Sequence, residues 1–362
     1  MSRPPRSPAR PAAAPRVAWL IEPRFPGGTS AALAQELRAV APLLRPQVFF
    51  VDSKMFRGRE VAPVLAEAFA ELGLAPVHAP RRIAADVVIL HNPAFLKFDA
   101  ALELRIVTRR LHVVCHENFL RPDGSESFDV AHCLGLIERA SLAFDRTIAP
   151  VSPWNRRMAA AWLERAGRAG ERWRLLGENW FNICDFPLRP PPSAPRDRRG
   201  RLSRPGLEKF PSTEVLEACF PPHAERNLLL GAEILTASAG RHPHWEILPF
   251  RAMPVEEFFT AIDFLVHFTA PGLRESFGRV LAEATAAGKL AICPPETAES
   301  FGPGVVGASP REVDALIAGF IAAPQRYAAR VRLAQRGLAA YSPGRFRAFF
   351  RRQVLKLEGC GR

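Results

Sequence analysis

Short apolar runs alternate with longer amphipathic stretches along this chain, and that alternation restricts its fold more than any other feature. VAWLI (17–21) is five apolar residues closed by Glu22, a length that suits a strand buried on both faces. Gly27-Gly28 follows, and SAALAQELRAVAPLL (30–44) then carries an apolar stripe at helical spacing. The unit recurs with QVFFVD (47–52) and the helix EVAPVLAEAFAELG (60–73), which Gly73 ends. ADVVILHNP (85–93) and LHVVCHEN (111–118) read as strands running into turns. FDRTIAPVS (144–152) reads the same way, with PWNRRMAAAWLERAG as the helix after it. Buried strands joined through helices run parallel, so the pattern predicts a doubly wound α/β sheet.

The alternation breaks once. DFPLRPPPSAPRDRRG (185–200) is dense in proline and charge and reads as a linker. Strands resume in ERNLLLGAEIL, HWEILPF, DFLVHFT and KLAICPP, with helices at PVEEFFTAI and 276–288 and a largely helical stretch from Pro310 to Tyr341. At 362 residues the chain is too long for one ordinary core. The expected organisation is a disordered tail over 1–15, an N-terminal domain over 16–184, a linker over 185–199, a C-terminal domain over 200–340, and a closing segment over 341–362. The two domains are expected to be Rossmann-like and to face each other across a cleft, with ligands at the carboxyl ends of the strands.

Composition narrows the function classes. The formal charge is +13, carried almost wholly by arginine with only five lysines, which favours anionic partners. The arginines are scattered without regular aromatic interleaving, and no nucleic-acid partner is expected. Six cysteines form no Cys-x-x-Cys pair, which suits free thiols in a reducing cytoplasm. No apolar run approaches the length of a membrane span, and MSRPPRSPARPAAAPR lacks the apolar core of a secretory signal. There is no Asp-x-Asp, no Gly-x-Ser-x-Gly and no Walker loop, and neither a metal nor a cofactor is expected.

The stretch RESFGRVLAEATAAG (Arg274–Gly288) carries the chemistry. It crosses from a strand to a helix and holds Glu275 and Glu283 eight residues apart, which at helical rise is about 12 Å. That matches the reach of a nucleotide-sugar from ribose to sugar. Ser276 is expected to cap a helix beginning near Phe277 or Gly278, whose free N–H groups suit a diphosphate. Gly278 would let backbone approach the ligand.

ESFGRVLAEATAAGKLAI resembles the Glu-Gly-Phe-Gly…Glu-Ala segment of retaining glycosyltransferases of family 4, with Ser276 in place of the commoner glycine. Three other segments are similar to the same family. GRLSRPGLEKFP (200–211) resembles its Gly-Arg-x…Lys loop, although the spacing is longer and RDRR stands where an apolar strand is usual. PRFPGGTS (23–30) resembles its glycine pair, and VVCHENF (113–119) its strand-end histidine. ENWFNICDF (178–186) looks like its interdomain segment, so the likeness runs over most of 16–355.

The resemblance implies the GT-B fold and metal-independent, retaining transfer from a nucleotide-sugar. It implies catalytic roles for His116 and Glu275, with His91 competing for the place near the transferred sugar. Arg201 and Lys209 would hold the donor phosphates, with Arg204 as a rival to Lys209. Gly27, Gly28, Ser276, Phe277, Gly278 and Glu283 complete the implied donor site. The acceptor would be a sugar or glycolipid, in the cytoplasm or at the inner face of an anionic membrane. An epimerase or phosphorylase on the same fold, or a basic binding protein without activity, are the competing readings. The closing GRFRAFFRRQVLKLE reads as a helix with Phe346, Phe349 and Phe350 on one stripe, open to burial on the N-terminal domain or to contact with lipid.

Overall fold

The computed structural model describes residues 15–356 apart from 26, 168 and 169, so most of the expected N-terminal tail lies outside the described residues. Seven parallel strands form the first sheet: β1 (Val17–Ile21), β2 (Gln47–Phe50), β3 (Val77–His78), β4 (Arg82–His91), β5 (Arg105–Cys115), β6 (Ser141–Pro150) and β7 (Arg174–Leu175). Helices α1 (Gly28–Val40), α2 (Pro63–Glu71), α3 (Val130–Ala140) and α4 (Pro153–Arg165) cover it. Every residue of β1 is buried, as its unbroken apolar run requires. α4 starts where Ser152 accepts a hydrogen bond from the Asn155 N–H and Pro153 fills the first turn.

The second sheet has six parallel strands: β8 (Arg198–Leu202), β9 (Arg226–Leu230), β10 (Trp245–Leu248), β11 (Phe264–Val266), β12 (Leu290–Cys293) and β13 (Val306–Gly307). Its helices are α5 (Thr213–Cys219), α6 (Val255–Ala261), α7 (Arg279–Ala286), α8 (Pro295–Ala298), α9 (Val313–Ala322) and α10 (Pro324–Leu338). The strand orders are β3-β2-β1-β4-β5-β6-β7 and β10-β9-β8-β11-β12-β13. Both sheets therefore reverse direction of winding at one point, between β1 and β4 and between β8 and β11. Crevices at the carboxyl ends of strands at such points are where doubly wound sheets take ligands.

The linker is shorter than the expected 185–199, because Arg198 and Arg199 already belong to β8. A buried strand tolerates them because each is paired. Arg199 donates to Asp197 and Asp314, and Arg198 to both carboxylate oxygens of Asp263. Between Arg199 and Arg201 only glycine fits: a Cβ on Gly200 would lie 2.6 Å from Ile262 Cγ2 and 2.9 Å from Phe258 Cζ. Gly200→Ala is expected to destabilise the protein by about 1–3 kcal/mol through overpacking. Urea unfolding measures it, and an unchanged midpoint would contradict the close packing of α6 on β8.

The chain ends by returning to the first domain. α11 (Pro343–Phe350) and a following wide turn (Arg351–Leu355) lie against it. Phe346, Phe349 and Phe350 are fully buried, around Trp180 and, for Phe350, stacked on Trp19 at 5.8 Å. The phenylalanine stripe is therefore core and is not offered to lipid, while Arg345 and Arg351 on the same segment stay exposed. Arg110 Nη1 donates to the Val354 carbonyl at 2.6 Å, and Arg352 and Gln353 both donate to Glu178. No helix among the described residues is long and apolar enough to cross a membrane.

Candidate active site

Arg201, Lys209 and Glu275 lie together at the switch point of the second sheet, and His91 and His116 lie together at strand ends of the first. In the second domain, Arg201 stands near the end of β8 and is 1% exposed. Its guanidinium lies over the Phe210 ring at 3.9 Å, and its Nη2 donates to the carbonyls of Lys209 and Phe268. Nε and Nη1 are buried and have no partner among the described residues. Burial pushes this guanidinium down to about 9, against the pull of Glu275. A buried fork with two open nitrogens is suited to an anion.

Lys209 Nζ donates to Glu275 Oε1 at 2.8 Å, and His267 Nε2, at the end of β11, lies 3.4 Å from the same oxygen. Burial opposes ionisation of Glu275, but Lys209 and His267 outweigh it and hold the carboxyl well below its ordinary range. Burial lowers the His267 ring's affinity for a proton, with Glu275 opposing. Arg204, the rival to Lys209, is half-exposed and pairs instead with Glu208 at 3.3 Å.

Past Glu275 the chain does not follow the expected path. α7 begins at Arg279, and its N-cap is Gly278, held in the left-handed region at φ 86°. Ser276 is not the cap, because that turn needs a residue without Cβ. The helical rise between Glu275 and Glu283 thus applies only from Arg279 onward. Phe277 does not turn its side chain to the site; its ring is buried against Phe301 and Tyr341 at 5.2 and 5.3 Å. Glu283 is on α7 and accepts from Arg279 Nε at 3.0 Å. Burial raises its pKa, with Arg279 opposing. The Arg279 guanidinium in turn lies over the Phe186 ring at 4.9 Å.

In the first domain, Gly27 and Gly28 are exposed at the start of α1, Gly27 at φ 87°, with nothing within 4 Å of where a Cβ would be. The two competing histidines turn out to be neighbours. His91 ends β4, His116 follows β5, and His91 Nδ1 lies 3.0 Å from His116 Nε2. Burial, and then the adjacent His91, hold the His116 pKa well below the ordinary histidine value. Asn92, next to His91, adopts left-handed backbone at φ 57° and is 1% exposed, and neither amide atom has a partner among the described residues.

The two halves touch. Asn118, two residues beyond His116, donates from Nδ2 to the carbonyl of Arg274, next to Glu275, at 2.8 Å. Asn155, at the start of α4, fixes Asn118 by donating to its Oδ1 at 3.0 Å. Sequence reasoning did not single out His267, Asn118 or Asn92. His267 and Asn92 carry the same signal as His116, a polar residue at the end of an apolar strand.

No protein-family model matches the chain, and no curated protein matches it in sequence. Solved structures do match. HepE from Anabaena, in complex with UDP and glucose, is 15% identical with a TM-score of 0.64, covering 94% of this chain and 100% of its own. An E. coli trehalose-6-phosphate protein bound with UDP-2-fluoro glucose is 11% identical with a TM-score of 0.61, covering 94% and 99%. A glycosyltransferase from Rickettsia africae is 12% identical with a TM-score of 0.59, covering 95% and 99%. With both sheets wound in the same order, these likenesses show that the chain has the GT-B fold, two Rossmann-like domains facing each other across a cleft.

Proposed function

We propose that this protein is a retaining, metal-independent glycosyltransferase of the family 4 type, moving a sugar from a nucleotide-sugar to a sugar or glycolipid acceptor. The observation that carries the reading is the meeting of Arg201, Lys209, His267 and Glu275 at the switch point of the second sheet with His116 at a strand end of the first, linked through Asn118 and Arg274. Two of the structural relatives hold UDP with glucose or a glucose derivative in the same fold, which supports a UDP-sugar as the donor class.

In this reading the free Nε and Nη1 of Arg201 take the donor diphosphate. Lys209 shares its charge between Glu275 and that diphosphate, and so stabilises the leaving group. Glu275 accepts hydrogen bonds from hydroxyls of the sugar. The leaving diphosphate helps take the acceptor's proton on the same face, and no separate general base is required. Glu283 binds the ribose hydroxyls after exchanging Arg279 for them.

Thermal-shift measurement of the purified chain against a panel of nucleotide-sugars tests the reading. At least one should raise the melting temperature, and that one should be hydrolysed slowly without acceptor, with or without EDTA. A panel with no binder overturns the donor class, and activity lost to EDTA and restored by manganese overturns the metal-free mechanism. Transfer with inversion at the anomeric carbon would overturn the stereochemistry.

Glu283→Ala should weaken binding of the donor's nucleotide by about tenfold to a hundredfold, the loss of charge-assisted hydrogen bonds of roughly 1.5–3 kcal/mol. Calorimetry with the free nucleoside diphosphate reads this, and unchanged affinity in a folded variant removes Glu283 from the ribose site.

A further inference from the structure

Glu36 lies on α1, outside every motif of the donor site, and is 3% exposed. Trp19 Nε1 donates to its Oε1 and Trp180 Nε1 to its Oε2, each at 2.7 Å. His91 Nε2 lies 3.3 Å from the same Oε1. A carboxylate held this way only accepts, so the proton between Glu36 and His91 belongs to His91 Nε2. A neutral His91 then has a bare Nδ1. The 3.0 Å contact from that Nδ1 to His116 Nε2 needs one proton, and only His116 Nε2 can supply it. Neutral His116 is left with Nδ1 bare.

We propose that Glu36 and His91 are positioning residues that fix the tautomer of His116, leaving its Nδ1 as an acceptor for a hydroxyl of the transferred sugar. Burial holds His116 neutral, as the relay requires. The two indoles keep both carboxylate oxygens of Glu36 occupied, so the carboxylate cannot turn away from His91. The sugar hydroxyl in this proposal rests on the glycosyl-transfer reading; the tautomer does not.

Nitrogen-15 NMR of the full chain labelled in its histidine rings tests it without any substrate, with His116→Asn assigning the resonances. At a pH where the rings of both His91 and His116 are neutral, His116 should show a protonated Nε2 and an unprotonated Nδ1. Glu36→Gln combined with Trp19→Phe should reverse this. The amide oxygen then stays with the Trp180 Nε1–H, and the amide N–H takes the place of Oε1, where His91 is left as the neighbour that must accept. His91 would then carry its proton on Nδ1, and His116 on its own Nδ1. Trp180→Phe removes only the partner of Oε2 and should leave the His116 tautomer unchanged, which controls for packing. A protonated His116 Nδ1 in the parent chain overturns the proposal, and so does a folded Trp19→Phe/Glu36→Gln variant with an unreversed tautomer. If no nucleotide-sugar proves to be a donor, the NMR result still stands or falls by itself. If transfer is confirmed, the Trp19→Phe/Glu36→Gln variant should also have a kcat about tenfold below that of Trp19→Phe alone, the value of one hydrogen bond of about 1.4 kcal/mol.

Discussion

Replacing Arg201 with alanine should weaken binding of the nucleoside diphosphate at least about a hundredfold, while the nucleoside loses no more than about threefold. Two charge-assisted hydrogen bonds at roughly 1.5–3 kcal/mol each account for that difference. The expectation rests on the two buried nitrogens that have no partner among the described residues. A cation desolvated enough to have its pKa pushed down to about 9 is one that an arriving anion compensates strongly. The third nitrogen complicates the experiment, because Nη2 also ties down the carbonyls of Lys209 and Phe268. Arg201→Lys keeps a charge but loses the fork, and separates loss of the anion site from loosening of the loop. Calorimetry with the two ligands gives the answer. Equal losses for diphosphate and nucleoside would make Arg201 a purely structural residue.

Glu275→Gln is expected to lower kcat by about a hundredfold to a thousandfold, the usual size of a lost electrostatic contact to a reacting group. It should also change how stability depends on pH. The Glu275 carboxyl has a folded pKa below its unfolded value of about 4.3. Its contribution is therefore complete above that value and is lost as the pH falls toward the folded pKa. The amide variant lacks this contribution, so the two proteins should differ in urea midpoint at pH 7 and converge as the pH falls below about 4. A kcat within tenfold of the parent would remove Glu275 from the reaction. A stability gap that does not narrow in acid would contradict its pairing with Lys209 and His267.

Much of the fold follows from local pattern. β1 runs over the residues that its unbroken apolar run marks out, and α1, α2 and α4 fall within a few residues of their amphipathic stretches. The edge strands β3, β7 and β13 have two residues each, too few for any periodicity to mark. α3 was legible and is absent from the sequence reading: Val130, Cys133, Leu134 and Ile137 follow helical spacing behind Asp129, which accepts from the His132 N–H. The start of β8 could not be read locally. Two arginines look like linker until Asp263 and Asp314, distant in sequence, neutralise them.

The same distinction holds at the site. Glu275, Lys209, Arg201 and His116 could be named because each sits in a recognisable local motif. Glu36 lies 55 residues from His91 and 144 from Trp180, and nothing in LAQELRAV distinguishes it from a solvated helix residue. Only the folded sheet brings those partners together. The error at Ser276 is of another kind. Serine is the better cap by propensity, but the chain there turns through a left-handed residue, and Gly278 meets that demand two positions later.

The return of α11 to the first domain has a consequence for the order of folding. Arg110 and Val354 are 244 residues apart, and the phenylalanines that close the core around Trp19 and Trp180 follow the whole second domain in the sequence. The first domain thus cannot complete its core until the whole second domain has been synthesised. Until then its two indoles and the face of α1 stay uncovered, which makes the nascent chain prone to association. A chain ending at residue 342 should be cut by protease within its first domain while the second resists. Equal resistance of both domains would show that the first completes its core without the closing segment.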